Sequence, residues 1–466
     1  MKHVHFIGIG GSGLSALARL LLERGYAVSG SDQTLSPAAL ELADAGVRVT
    51  EGHTASNIAG ASLVIRSSAI PDENPEVLAA QAAGIPVLKR ADILDQLTAG
   101  RTVIAVAGTH GKTTTTAMIA WALVSLGQDP SYIIGGIAKD LGTNAHAGSG
   151  NLFVIEADEY DRMFIGLTPD WIVLTNVEHD HPDCFPTPEE YRQAFCSFIS
   201  QLKPGGTLLA CTDDPGARVI LDSLPPGTRA LSYGLRTPAE YTATGIQNIP
   251  GGGARFNVIH TLPQMAPNSL ASMQLKVPGE HNLLNALAAM ALFHQMGLDP
   301  APAATALAQF SGAGRRFDLR GEVNQITLID DYAHHPTEIK ATLAAARARF
   351  PGRRVWAVWQ PHTYSRTQTL QAAFCEAFEN ADQVLVTEVF AAREKNNPFS
   401  AAQLVAQMPH PAAKFCPTLE SATRYLLDHL QPGDVVLVLS AGDADRITAE
   451  VLDALQKRTH AERSGA

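Results

Sequence analysis

Short runs of apolar, β-branched residues recur along this chain with helix-patterned stretches between them. No other feature constrains the fold as strongly, because strands separated by helices pair in parallel and are covered on both faces; the alternation selects an α/β architecture over a sandwich or a bundle. The early strands are predicted at "VHFIGI", "AVSGSD" and "SLVIRS", a second set at "RTVIAVAG", "NLFVIEAD" and "DWIVLTNVE", and a third at "ITLIDDYA", "RRVWAVWQP", "DQVLVTEV" and "DVVLVLSAGD". Glycine and polar residues interrupt the rhythm near "LDQLTAGR" and "FSGAGRRF". The segment 234–276 differs: rich in Gly, Thr and Asn around "NIPGGGARF", it reads as a β-rich insertion with a turn.

With 466 residues the chain can form about three compact units of roughly 150 residues each. The two breaks place them at 1–97, 98–313 and 314–466. Thirty-five basic against 46 acidic residues leave a net charge of −11, which argues against a nucleic-acid scaffold but not against a local anion pocket. The five cysteines form no CxxC pair or regular framework, which fits a reducing cytoplasm. No apolar stretch approaches a bilayer span and "MKHVHFIGIGG" lacks a signal core, so a cytoplasmic protein without membrane insertion is expected.

The sharpest chemical signal is "AVAGTHGKTTTT". After the strand "VIAVA", the loop Gly108-Thr109-His110-Gly111-Lys112-Thr113 leads through Thr114 into a helix, so backbone N–H groups and the helix N-terminus converge on an anion. Lys112 is expected along the β- and γ-phosphates, and the Thr113 hydroxyl on Mg²⁺. The usual phosphate loop has four residues between its first glycine and the Gly-Lys pair; this one has two. A second glycine loop, Gly8-x-Gly10-x-x-Gly13, follows the first strand, with Asp32 ending the next. Alone it suggests a dinucleotide site and a dehydrogenase, but it reports only a backbone that approaches a pyrophosphate. Glu156 ends the run "LFVIEAD" and His181 follows another strand; a Glu, a Thr hydroxyl and phosphate oxygens suit Mg²⁺ better than zinc.

The shortened loop "GTHGKTTTT" resembles that of the Mur ligases, which add amino acids to a UDP-linked peptidoglycan precursor. "HFIGIGGSGLSALA", "EADEYD", "TNVEHDH", "PGEHNLLNA", "RRF", "DDYAHHPTEI" and "QPHTYSRT" match the family in the same order. The first and last two resemble its L-alanine-adding branch. The resemblance implies three domains: a Rossmann-like UDP-sugar-binding domain, a P-loop ATPase-like central domain with the β-rich insertion, and a Rossmann-like amino-acid-binding domain. It implies ATP and Mg²⁺ as cofactors, UDP-N-acetylmuramate and L-alanine as partners, an acyl-phosphate intermediate, and a monomer or homodimer.

On the same resemblance Gly10, Gly11, Ser12 and Gly13, with Asp32 and Ser67, hold the UDP-sugar, with Ser68, His53 and Asn57 as weaker candidates. Lys112 and Arg316 face the ATP phosphates, His281, Asn282 and Asn285 the adenine, and Asp331 the ribose. Thr113, Glu156 and His181 contact the metal, and Tyr332, His334, His362 and Arg366 surround the amino acid. His110 is placed near the muramoyl carboxylate. Relatives with a carbamylated lysine carry it on the helix after the histidine matching His181; here "PEEYRQAFCSFISQLK" has no lysine until Lys203, so none is expected. Three rivals stand beside this reading: a recycling ligase of the same family that adds a peptide, a nicotinamide dehydrogenase, and a nucleotide-binding module without catalysis.

Overall fold

The computed structural model describes residues 2–262, 264–394 and 397–464. They form three sheets of five, ten and six strands, in chain order. The first runs Arg48–Glu51, Ala27–Asp32, His3–Ile7, Leu63–Arg66, Val87–Lys89, all parallel. Its topological switch lies between His3–Ile7 and Leu63–Arg66, where a parallel sheet opens a crevice at its carboxyl edge. The glycine loop leaves one of these strands and Ser67 the other. The strand expected at "VHFIGI" ends at Ile7, because Gly8 turns the chain at φ +84°. No side chain is comfortable there.

In the ten-stranded sheet, Thr102–Ala107 lies between Trp171–Leu174 and Leu152–Glu156. The register pairs Val106 with Glu156 and Ala107 with Leu174, so the phosphate loop, Glu156 and the segment leading to His181 leave the same sheet edge. Ser131–Ala138 and Thr143–His146 complete one flank; Thr207–Cys211 and Arg229–Tyr233 extend the other. Beyond these, Tyr241–Asn248, Ala254–His260 and Asn268–Leu275 form the antiparallel insertion expected at 234–276. Helices Lys112–Ser125 and Glu280–Gln295 are buried nearly all round and pack on this sheet, enclosing Met118, Ile119, Leu287, Met290 and Phe293. A helix without a polar face must be covered on every side.

The six-stranded sheet runs Asp318–Val323, Ile326–Asp331, Val435–Leu439, Val355–Trp359, Gln383–Val386, Ala413–Phe415, with only the first strand antiparallel to its neighbour. Val355–Trp359 is fully buried, as expected of a strand with helices on both faces. Among the described residues no helix is long and apolar enough to cross a membrane.

Candidate active site

The phosphate loop is fastened by close backbone packing and hydrogen bonds. Gly108 has φ +140°, and a Cβ there would lie 2.0 Å from Thr175 Oγ1. Gly111, the N-cap of helix Lys112–Ser125, is left-handed at φ 77°, and its missing Cβ faces Asn285 Oδ1. The Thr175 hydroxyl donates to His110 O (2.6 Å) and the His110 N–H donates to Asn176 Oδ1 (2.7 Å), fastening the loop to the neighbouring strand end. Lys112 Nζ donates to Gly108 O (2.6 Å) and Thr109 O (3.0 Å) and pairs with Glu159 at 2.8 Å. Burial opposes its charge, but Glu159, Asp158 and Glu156 outweigh that and hold the amine above its ordinary value.

Thr113 Oγ1 donates to Glu156 Oε1 (3.0 Å), and Gly135 N–H donates to Glu156 Oε2 (2.6 Å). Burial raises the Glu156 carboxyl above the usual range against the pull of Lys112. That is the state of a carboxylate short of positive charge, and hard oxygen donors side by side suit a hard divalent cation. His181, left-handed at φ 54°, lies with Nε2 3.8 Å from Glu159 Oε1. Glu159 thus links Lys112 to His181; it is 1% exposed and also accepts from the Tyr191 hydroxyl (3.1 Å). Sequence reasoning stopped at Glu156, where the strand ends, and missed it.

His110 is a cation in this setting. Nε2 faces Glu178 Oε2 at 3.2 Å and Nδ1 faces Glu338 Oε1 at 3.3 Å, so both ring nitrogens must donate. Burial works against the charge, yet the two carboxylates push the imidazole up to about 9. A general base at this position is therefore disfavoured. His110, Glu178 and His335 offer ligand atoms within 4.8 Å of one another. Their hydrogen bonds describe an ion-pair network instead, since His335 Nδ1 accepts from Thr337 N–H (3.3 Å) to cap helix Pro336–Arg349. His179 donates to Phe185 O (2.8 Å).

A cavity of about 450 Å³ opens beside the loop, lined among others by Gly111, Asn282, Asn285, Arg316, Asp331 and Glu338. His281 also lines it, and burial lowers its imidazole to about 4, leaving a neutral ring. Asn282 donates to Pro278 O (2.7 Å) and Asn285 donates to Asn282 Oδ1 (3.2 Å), so the amide pair is pre-oriented along the cavity wall. Arg316 reaches in from the six-stranded side, over the Tyr332 ring at 5.2 Å. Asp331 accepts from Phe317 N–H (2.7 Å) and Ala333 N–H (2.8 Å), with burial raising its carboxyl to about 6.

Tyr332, His334, His362 and Arg366 meet at one edge of the six-stranded sheet, as the sequence suggests. His334 and His362 lie 6.0 Å apart, and Arg366 Nη1 is 3.1 Å from His362 Nδ1. Arg366 already has a carboxylate partner: it is 2% exposed and donates from Nε to Asp180 Oδ1 (2.6 Å) and from Nη2 to Asp180 Oδ2 (3.3 Å). Asp180 precedes His181, so this ion pair joins the two sheets at the metal-candidate histidine. Sequence reasoning missed Asp180, because nothing local in "NVEHDH" distinguishes it.

In the first sheet Asp32 organises the glycine loop, accepting from Gly10 N–H (2.8 Å), while the Ser36 hydroxyl donates to Gly10 O (2.9 Å). Gly11 caps the helix starting at Ser12, and Ser67 packs 3.0 Å from where a Gly8 Cβ would lie. A Cβ on Gly13 would lie 2.4 Å from Arg90 Nη1. Arg90 Nε is buried without a hydrogen-bond partner, beside the loop that the sequence assigns to a diphosphate. His53 and Asn57 point elsewhere: Asn57 donates to the buried Glu76 (2.6 Å), and His53 lies 3.6 Å from the same carboxylate. Ser68 donates to Asp161 (2.6 Å), between the first two sheets.

Fold and site together define an α/β protein in which a Gly-Lys-Thr loop borders a cavity lined by residues from the ten-stranded and six-stranded sheets. Family models match in chain order: Mur ligase family, catalytic domain, over 3–102; Mur ligase middle domain over 106–293; and Mur ligase, glutamate ligase domain, over 315–442. The chain is 42% identical to a UDP-N-acetylmuramate–L-alanine ligase of Roseiflexus castenholzii, over 97% of both chains. It is 44% identical to the ligase of the same name from Renibacterium salmoninarum, over 98% of this chain and 96% of that one. The solved structure of UDP-N-acetylmuramate-alanine ligase MurC from Thermotoga maritima superposes with a TM-score of 0.81 at 28% identity, covering 98% of this chain and 100% of that one. The chain belongs to the Mur ligase family.

Proposed function

We propose that this chain joins L-alanine to the lactyl carboxylate of UDP-N-acetylmuramate, releasing ADP and phosphate, in the cytoplasmic assembly of the peptidoglycan precursor. What carries the reading is full-length similarity to L-alanine-adding ligases combined with one geometric fact. The Asp180–Arg366 pair brings the edge of the six-stranded sheet that bears Tyr332, His334 and His362 against the segment bearing His181, which supports a cleft shared by the amino acid and the nucleotide. We assign the UDP-sugar to residues 1–97, ATP to 98–313 and L-alanine to 314–466.

A carboxylate does not acylate an amine at neutral pH, because it is a poor electrophile with no adequate leaving group. Attack of a lactyl carboxylate oxygen on the γ-phosphorus of ATP forms an acyl phosphate and breaks the bond to ADP. The alanine amine then attacks the carbonyl carbon, loses a proton and expels phosphate. Lys112 and Arg316 offset the charge that spreads over the transferring phosphoryl oxygens, a task of positioning and electrostatics. His110, held as a cation, belongs with them as a donor rather than as the base. Thr113, Glu156 and His181 would hold Mg²⁺, which supplies further charge neutralisation on the phosphate oxygens. Arg366 orients the α-carboxylate of L-alanine, and closure around the cleft keeps water from the acyl phosphate.

Phosphate release with ATP and UDP-N-acetylmuramate, measured against each amino acid and against an L-alanine-headed tripeptide, tests the substrate. L-Alanine should give the highest kcat/KM; preference for the tripeptide would assign the chain to the recycling branch instead. Glu156→Gln should raise the Mg²⁺ concentration for half-maximal rate by roughly tenfold or more, as expected when a cation with few protein ligands loses one. The L-alanine constant should move far less. Superimposable Mg²⁺ titrations for variant and wild type would remove Glu156 from the metal set.

A further inference from the structure

Glu338 lies in the first turn of helix Pro336–Arg349, where the helix end favours a negative charge, and its side chain is only 9% exposed. Its two oxygens have separate tasks. Oε2 accepts from the His334 N–H (3.1 Å), tying it to the strand-end loop of its own sheet. Oε1 faces two cations from elsewhere in the chain: His110 Nδ1 at 3.3 Å and Arg316 Nη1 at 3.3 Å. One is the third residue of the phosphate loop; the other stands on the segment entering the last sheet.

We propose that Glu338 is a positioning residue for phosphoryl transfer: its Oε1, carried on the last sheet's helix, fixes the His110 ring and the Arg316 guanidinium together beside the phosphate loop. This rests on the nucleotide-site reading above. The pair of cations is complete only when the last domain is seated against the central one, so domain docking and charge stabilisation become one event. Cations already in place need no reorganisation when charge develops on the phosphoryl group. Without Glu338, Arg316 loses its closest carboxylate and keeps its stacking on Tyr332 and the longer-range pull of Asp331 and Glu156, which fix a long side chain less tightly.

The charge balance around His110 makes the proposal testable by pH. Glu178 faces the ring from the loop after Trp171–Leu174, Glu338 from helix Pro336–Arg349, and His335 from the residue before that helix, with Lys112 on the same loop and Arg316 across Glu338. Burial, with His110 beside it, lowers His335 to about 4, so His335 adds no charge at neutral pH. Burial opposes the charge of His110 as well, but Glu178 and Glu338 raise the ring to about 9. Loss of one carboxylate lowers that value, so the protonated ring is lost at a lower pH.

The experiment uses the full-length enzyme and compares Glu338→Gln, which keeps the shape and removes the charge, with Glu338→Asp, which keeps the charge. We expect Glu338→Gln to lower kcat at neutral pH by roughly 10- to 100-fold, the range for a lost hydrogen bond to a charged group, with the dissociation constants of ATP and UDP-N-acetylmuramate within threefold of wild type. The alkaline fall of kcat should move toward neutrality by about one pH unit or more, as should the His110 ring titration followed by NMR. Glu338→Asp should recover part of both. A wild-type kcat and pH profile in Glu338→Gln would overturn the proposal, as would a loss equal at every pH accompanied by a lowered unfolding temperature. An inactive Lys112→Ala beside a fully active Glu338→Gln would overturn this inference alone; full activity in both would overturn the nucleotide site itself.

Discussion

Replacing Lys112 by alanine should reduce turnover by at least about 10²-fold, the usual consequence of deleting a charge-stabilising donor in a preorganised site. The dissociation constant of UDP-N-acetylmuramate should stay near wild type, because the glycine loop assigned to it belongs to another sheet. The substitution also strips Glu159 of its cation. Glu159 is 1% exposed, and an unpaired buried carboxylate is costly enough to lower stability by itself. The double variant Lys112→Ala/Glu159→Gln separates the two effects: unfolding temperature should recover while turnover stays lost. Turnover returning together with stability would make Lys112 a structural lysine.

Arg366→Lys should weaken L-alanine by about 1.5 to 3 kcal/mol, roughly tenfold or more in apparent affinity, with the ATP and UDP-sugar constants little changed. Lysine keeps the charge but not the planar fork. That geometry matters more than the sequence alone suggests, because the guanidinium already spends Nε and Nη2 on Asp180. An incoming carboxylate must share the group with Asp180 or displace it. An ammonium cannot hold both partners in fixed positions. An L-alanine constant within twofold of wild type, or an equal loss for all three substrates, would make Arg366 a structural tie between the two sheets.

Features whose signal is local were legible before the fold was seen. Strands such as Ala27–Asp32 and Thr102–Ala107 coincide with apolar runs closed by a glycine or a carboxylate, and the antiparallel insertion follows its Gly-rich turn. The phosphate loop was legible because its glycines, lysine and threonine act through the backbone of a single strand-to-helix turn. Partnerships were not. Asp180 and Arg366 are 186 residues apart, and no pattern at either end announces the other. Glu338 stands in the first turn of a helix, where a glutamate needs no further explanation, and the histidines before it in "DDYAHHPTEI" drew the assignment. His53 and Asn57 are a further case. Polar residues near a strand end suggest a ligand, and both turn toward the buried Glu76, which is also bonded to His5 and Ser31. A local pattern names the chemistry a residue can do, and the tertiary partners decide whether it is free to do it.

In the proposed reaction, phosphate leaves the substrate by way of an acyl phosphate when L-alanine attacks. Mass spectrometry of the phosphate released from UDP-N-acetylmuramate labelled with ¹⁸O in its lactyl carboxylate, with ATP and L-alanine present, tests it directly. The carboxylate oxygen that attacks the γ-phosphorus departs with the phosphate, so each phosphate should carry one labelled oxygen, and its sustained release should require L-alanine. Unlabelled phosphate, or labelled phosphate accumulating at the same rate without L-alanine, would contradict it.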